Sequence, residues 1–165
     1  YNPIIRFNED FIIGDISQDT IYQYSKNKTL TPILVKTPSI YSQDPQMMVI
    51  PEFKTPKLFF LERTERKFNF ETKEGFEREK IEYDYNSGFF ATHVLQNKDY
   101  PNQNFYFNSG GYAYRAEKNT LCQFIPAEEL IEANDNGELH GPLKEITKTL
   151  KIDDNPVLMI IKFKE

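Results

Sequence analysis

The sequence predicts a mainly β fold of antiparallel sheets, with two short helices near the C-terminus. Three observations carry that prediction. The apolar content is modest at 39%, yet it includes 14 Phe and 10 Tyr with no Trp, and aromatic side chains fit the half-buried face of a pleated sheet better than a helix surface. The apolar runs are short and separated by polar breaks of a few residues. Three segments, Tyr22-Gln23-Tyr24, Tyr83-Asp84-Tyr85 and Tyr112-Ala113-Tyr114, each place two tyrosines on one face of a strand, because strand side chains alternate. Each is followed by a polar turn and a returning apolar run, a weak internal repeat that suggests three hairpin-bearing sheets.

The elements follow in order. Ile4, Ile5 and Phe7 form a first strand, ended by Asn8-Glu9-Asp10. Phe11, Ile12, Ile13 and Ile16 form a second, and Ser17-Gln18-Asp19 breaks the chain before Thr20–Tyr24. The polar turn 25–28 leads to Leu30–Val35. Loops this short connect antiparallel neighbours, so the four strands form a meander. Residues 37–56 hold Pro38, Pro45, Pro51 and Pro56 and read as a loop with a short strand near Met48–Ile50. Proline cannot donate to a ladder, so that strand is broken or at an edge. Leu58–Leu61, Lys80–Tyr85 and Phe89–Leu95 give three more strands, with Asn86-Ser87-Gly88 turning between the last two. Residues 96–104 read as a polar loop. Phe105–Phe107, Tyr112–Arg115 and Thr120–Ile125 follow as strands, Gly110-Gly111 marking a tight reversal.

The chemistry changes after Ile125. Pro126-Ala127-Glu128-Glu129 sets a proline and two acids where a helix start favours them. Leu130 and Ile131 supply its buried side, and residues 134–137 end it. Gly141-Pro142 opens a second helix with Leu143, Ile146 and Leu150 at helical spacing. Asp153-Asp154-Asn155-Pro156 then turns into Val157–Phe163, apolar on both faces at its start and therefore expected to lie centrally in a sheet or beneath the helices.

Charge and composition exclude several functions. The net charge is −5, from 20 basic and 25 acidic residues that are interspersed. A nucleic-acid partner would require a basic stripe to neutralise phosphates, so none is expected. The one dense charged stretch, residues 62–80, mixes both signs and reads as a solvated hairpin face. No apolar run approaches the roughly 20 residues that span a bilayer. Cys122 is the single cysteine and reads as a small buried apolar residue. His93 and His140 stand 47 positions apart without metal-ligand or triad spacing. His93, inside an apolar strand, is expected to be structural, and His140, in a loop, to be solvated. Residues 134–138 echo an oxygen-rich calcium loop, and Glu145 stands at its twelfth position, but Pro142 and a predicted helix intervene, so a helix-ending loop is expected. The adjacent acids Glu128-Glu129 and Asp153-Asp154 read as capping and turn residues rather than catalytic pairs. Neither a cofactor nor a metal is expected.

Arg6-Phe7 followed by residues 19–22 and Leu30-Thr31-Pro32, the Tyr83–Tyr85 hairpin, the run Cys122–Leu130, and above all the turn 154–158 with the closing strand to Lys164 resemble the C-terminal part of the secreted six-bladed β-propeller lipoproteins of gut bacteria. The resemblance runs along nearly the whole chain. It implies antiparallel four-stranded sheets arranged as propeller blades, and an extracytoplasmic, lipid-anchored protein of the cell envelope. Since a blade takes roughly 40–50 residues, the chain accounts for about three of them, as one domain or the C-terminal half of one. The chain begins at Tyr1 without an initiator Met or a signal-peptide core, so a targeting segment is expected to have been removed or left out. The expected function is non-catalytic binding or scaffolding of a glycan or protein ligand, with Tyr100, Tyr106, Tyr112 and Tyr114 as the candidate aromatic contacts. The alternative is part of a glycan-processing enzyme whose site lies in a preceding half. Open sheet edges, which are adhesive, lead to the expectation of a homodimer or of pairing with a preceding segment.

Overall fold

The computed structural model describes residues 3–104, 113–117 and 119–164, with side chains outside 104–118. The chain divides into two compact units, residues 1–93 and 94–164. Mainly β structure is observed, with antiparallel four-stranded sheets and two helices.

In the first unit, β1 (Ile4–Phe7), β2 (Asp10–Ile13), β3 (Thr20–Tyr24) and β4 (Leu30–Val35) form the meander anticipated from the short polar breaks. A second sheet repeats that topology: β5 (Met47–Lys54), β6 (Leu58–Glu65), β9 (Arg78–Asp84) and β10 (Phe90–Thr92) run antiparallel in chain order. Between β6 and β9 the chain makes a small exposed hairpin, β7 (Phe68–Asn69) with β8 (Glu74–Gly75). Two of the tyrosine pairs mark the third strands of these sheets: Tyr22 and Tyr24 lie on β3, and Tyr83 lies on β9 with Tyr85 just past its end, the last two rings meeting edge to face at 5.2 Å.

One expectation is corrected here. The 37–56 stretch is not mostly loop, because β5 is eight residues long. Pro51 is accommodated because β5 is an edge strand, and a bulge between Pro51 and Phe53 inserts Glu52 into the ladder. The core of the unit forms where one face of each sheet meets the other: Ile5, Phe7, Ile12 and Ile21 pack with Phe59, Leu61 and Ile81. Phe59 and Leu61 share that face by alternation. Lys54, almost wholly buried, lies between two rings, its Nζ 3.7 Å from the centre of Phe7 and 4.8 Å from that of Tyr85.

In the second unit, residues 96–104 are not simply a loop: β11 (Gln96–Asn97) and β12 (Tyr100–Asn104) make a bulged hairpin. β13 (Ala113–Glu117), β14 (Thr120–Ile125) and β15 (Val157–Lys162) form an antiparallel sheet in that order. The expected strand 105–107, the Gly110-Gly111 reversal and Tyr112 lie outside the described residues. Between β14 and β15 come α1 (Ala127–Asp135) and α2 (Gly141–Thr147), close to their expected spans. Gly137, at φ 74°, ends α1 in the left-handed region that glycine tolerates. Tyr100, Ile125, Leu130, Ala133 and Leu139 are the core, with Leu143, Leu150, Val157 and Met159 packed against it. Of the two places expected for β15, it takes the second: among the described residues it pairs with β14 alone and so is not central, but its Val157 and Met159 pack under the helices, against the core that Leu130 and Ala133 form.

Candidate functional site

The second unit carries a groove of about 440 Å³ along β15. Its walls are apolar, from Leu95, Leu143, Ile146, Met159 and Ile161 among others, with Asp99 at one side. Asp99 fixes the geometry by joining the hairpin to α2. Its carbonyl accepts the His140 N–H at 2.8 Å and its carboxylate the Leu143 N–H at 3.3 Å, supplying the cap that the helix's own preceding residue, His140, does not provide. Gly141, at φ 52°, allows this approach, because a Cβ there would stand 2.7 Å from Asp99 Oδ1.

The rim of the groove is a strand edge. The Phe163 N–H donates to the Asn119 carbonyl, which sets the phase of the β14–β15 ladder. Residues 157, 159 and 161 therefore point their backbone groups at β14, and Leu158, Ile160 and Lys162 point theirs outward. The side chains of these last three share one face, with Leu158 46% and Ile160 54% exposed. Apolar walls beside outward-facing amides and carbonyls suit an added β-strand, whose main chain would pair while alternate side chains enter the groove.

The aromatic residues singled out from sequence are not brought together among the described residues. Tyr100 is a core residue, 8% exposed; burial, and then the charges of Glu129, Glu138 and Glu132, push its phenol above the ordinary range. A ring so covered offers no face to a ligand. Tyr106 and Tyr112 lie outside the described residues, and of Tyr114 only the backbone is described, paired with Cys122. His93 follows β10; its backbone N–H donates to the Lys80 carbonyl at 3.0 Å, and its ring meets Phe60 edge-on at 5.2 Å. Burial pushes its imidazole pKa down, with the Glu82 charge opposing. His140 is exposed. Residues 134–138 close α1, Glu128 and Glu129 occupy its first turn, and Asp154 accepts the Lys151 N–H in the turn before β15.

Sequence reasoning missed a buried charge cluster in the first unit, which joins Glu62 and Lys80, from the stretch read as a solvated face, to Glu52, from the stretch read as a loop. Lys80 Nζ lies 2.5 Å from Glu52 Oε1 and 2.7 Å from Glu62 Oε2, and Arg78 flanks Glu62 at 3.7 Å. Glu62 and Lys80 are directly opposed on β6 and β9, and the bulge turns Glu52 of β5 toward the same face. Burial raises the Glu52 pKa, with the Lys80 hydrogen bond opposing. All three charges are engaged with one another, which is the pattern of a sheet-internal ion cluster. No local spacing marks it, since it depends on the register of three strands. A second cleft of the first unit, about 570 Å³, is lined by Ile33, Val35, Lys36, Val49, Arg63 and Tyr83, among others. Burial pushes the Lys36 pKa down, against Asp19 and Asp15, and Arg63 pairs with Glu79.

No helix among the described residues is long and apolar enough to cross a membrane. No protein-family profile and no curated protein matches the chain. Among solved structures, the fold is similar to that of a "putative exported protein" from Bacteroides fragilis, with a TM-score of 0.59 at 14% identity. The likeness covers 98% of this chain and 49% of that one, so the chain spans about half the length of the protein it matches.

Proposed function

We propose that the chain is a binding or scaffolding module of an exported, envelope-associated protein, and that it recognises a ligand without transforming it. The observation that carries this reading is the groove along β15. It combines apolar walls with backbone donors and acceptors that no other strand pairs among the described residues, which is recognition hardware, whereas the Glu52–Lys80–Glu62 cluster is consumed by internal pairing. The two consecutive meanders of identical topology support sheets that serve as propeller blades. The fold likeness to the Bacteroides fragilis protein supports export, and a lipid anchor would come from a segment preceding Tyr1. Protein ligands suit the groove; Tyr106, Tyr112 and Tyr114 are the residues proposed to meet a glycan.

Pull-down and glycan-array screens test the reading, comparing the wild-type chain with Ile146→Asp in the groove and Tyr106→Ala outside it. Specific retention lost in one of these variants is the expected result. Turnover of a glycan that is abolished by Glu52→Gln or His93→Ala would overturn it in favour of an enzyme. Protease treatment of intact producing cells should degrade the chain; full protection would contradict export to an outward-facing surface.

A further inference from the structure

We propose that the occupant of the β15 edge is a second copy of this chain, the two β15 strands pairing antiparallel about a two-fold axis at Ile160. The inference rests on the groove being a recognition surface and adds who fills it. Three features of the strand converge on self-pairing. First, its outward backbone groups belong to Leu158, Ile160 and Lys162, so an antiparallel copy centred on Ile160 sets Ile160 against Ile160 and Leu158 against Lys162. No like charges oppose one another in that register, and the exposed side chains of Leu158 and Ile160 gain apolar neighbours across the axis.

Second, the charges at the ends of the strand are complementary to themselves. Exposed Asp153 and Asp154 precede β15, and exposed Lys162 and Lys164 close it. Antiparallel pairing brings the basic end of one copy beside the acidic turn of the other. Parallel pairing would place acid beside acid and base beside base. Third, the edge lacks the usual guards against pairing. β5, an edge of the second sheet, carries Pro51 and a bulge, whereas β15 reads Val-Leu-Met-Ile-Ile-Lys, with one charge at its end and neither proline nor bulge. The odd-numbered side chains of the incoming strand, Met159 and Ile161, fall on the face where the groove gives them room beside α2. The result is one continuous sheet through two chains, closed by symmetry.

Sedimentation and light scattering of the 165-residue chain across the micromolar range are expected to give twice its 19.5 kDa mass. Ile160→Lys and Ile160→Glu place like charges across the axis, and each alone should sediment as a monomer with an unchanged far-ultraviolet circular dichroism spectrum. Mixing the two should restore the dimer, which no loss of folding could mimic. Ile160→Pro removes an outward N–H without deleting a β14–β15 hydrogen bond and should also give a monomer. A synthetic peptide of residues 155–164 should dissociate the wild-type dimer. A wild-type chain that stays monomeric, or a dimer indifferent to both charge variants, overturns the proposal. In either case the groove still stands or falls by the ligand screens, which read retention rather than mass.

Discussion

Replacing Lys80 by Met tests the idea that the buried charges of the first unit are held by mutual neutralisation. The side chains of Glu52 and Glu62 are 4% and 9% exposed, and Lys80 bonds both. Deleting the ammonium leaves two buried carboxylates facing each other with no shared cation. Removing one partner of a buried ion pair costs about 3–5 kcal/mol, so Lys80→Met should lose about that much near neutral pH. The pH dependence has a definite sign. Burial already places the Glu52 pKa above its unfolded value, and the Lys80 bond opposes that rise. Between the unfolded and folded values the native state holds a proton that the unfolded state has released, so stability falls as pH rises through that window. Without Lys80 the window extends upward. The deficit of Lys80→Met should therefore shrink on acidification to about pH 5, where protonating Glu52 removes a charge. Adding Glu52→Gln and Glu62→Gln should recover a large part of the loss at neutral pH. Guanidinium unfolding followed by far- and near-ultraviolet circular dichroism reads all of this. A deficit below about 1 kcal/mol, or one independent of pH, would refute the argument, because an exposed pair costs no more than that.

Four further outcomes are expected. Phe59→Ala, at a fully buried position stacked on Tyr85, should cost about 3–5 kcal/mol in chemical denaturation. Asp99→Ala removes the side-chain cap on the N–H of Leu143 and should cost about 1 kcal/mol. Gly141→Ala should cost about 1–2 kcal/mol by the same assay, since it adds backbone strain at positive φ and a contact with Asp99. Tyr85 is held neutral chiefly by burial, its pKa raised. Its folded value lies above the unfolded one, so it adds stability that is lost as pH climbs beyond about 10, and phenolate absorbance should show a tyrosine that titrates only with unfolding.

Much of the fold was legible because local chemistry decides it. Asn8-Glu9, Ser17–Asp19 and Ser25–Lys28 are turns whatever surrounds them, and the strands between them are too closely spaced to pair other than as a meander. The α1 and α2 starts were equally legible, from Pro126, the two following acids and Gly141-Pro142. What failed was whatever depends on partners distant in sequence. Pro51 correctly placed its strand at an edge, but it argued against a long one, and the bulge that lets β5 run on for eight residues is not visible in one segment. Apolarity on both faces of β15 left a central place and a place beneath the helices equally open; Val157 and Met159 pack under the helices, while Leu158 and Ile160 stay exposed at an edge. Tyr100 read as a candidate contact within an aromatic-rich region, while helix α1, some thirty positions later, supplies apolar residues that pack with it. Glu62 and Lys80 read as solvated because alternation within one strand does not reveal what the neighbouring strands place opposite, here each other and Glu52.

The ring-capped position of Lys54 has a practical consequence. An amine enclosed by Phe7 and Tyr85 at the meeting of two sheets is shielded from acylating reagents, while exposed lysines such as Lys26 react at once. Modification of Lys54 thus requires the two sheets to part. Its labelling rate, followed by mass spectrometry, is a clock for breathing of the first unit that needs no probe beyond those the chain already contains.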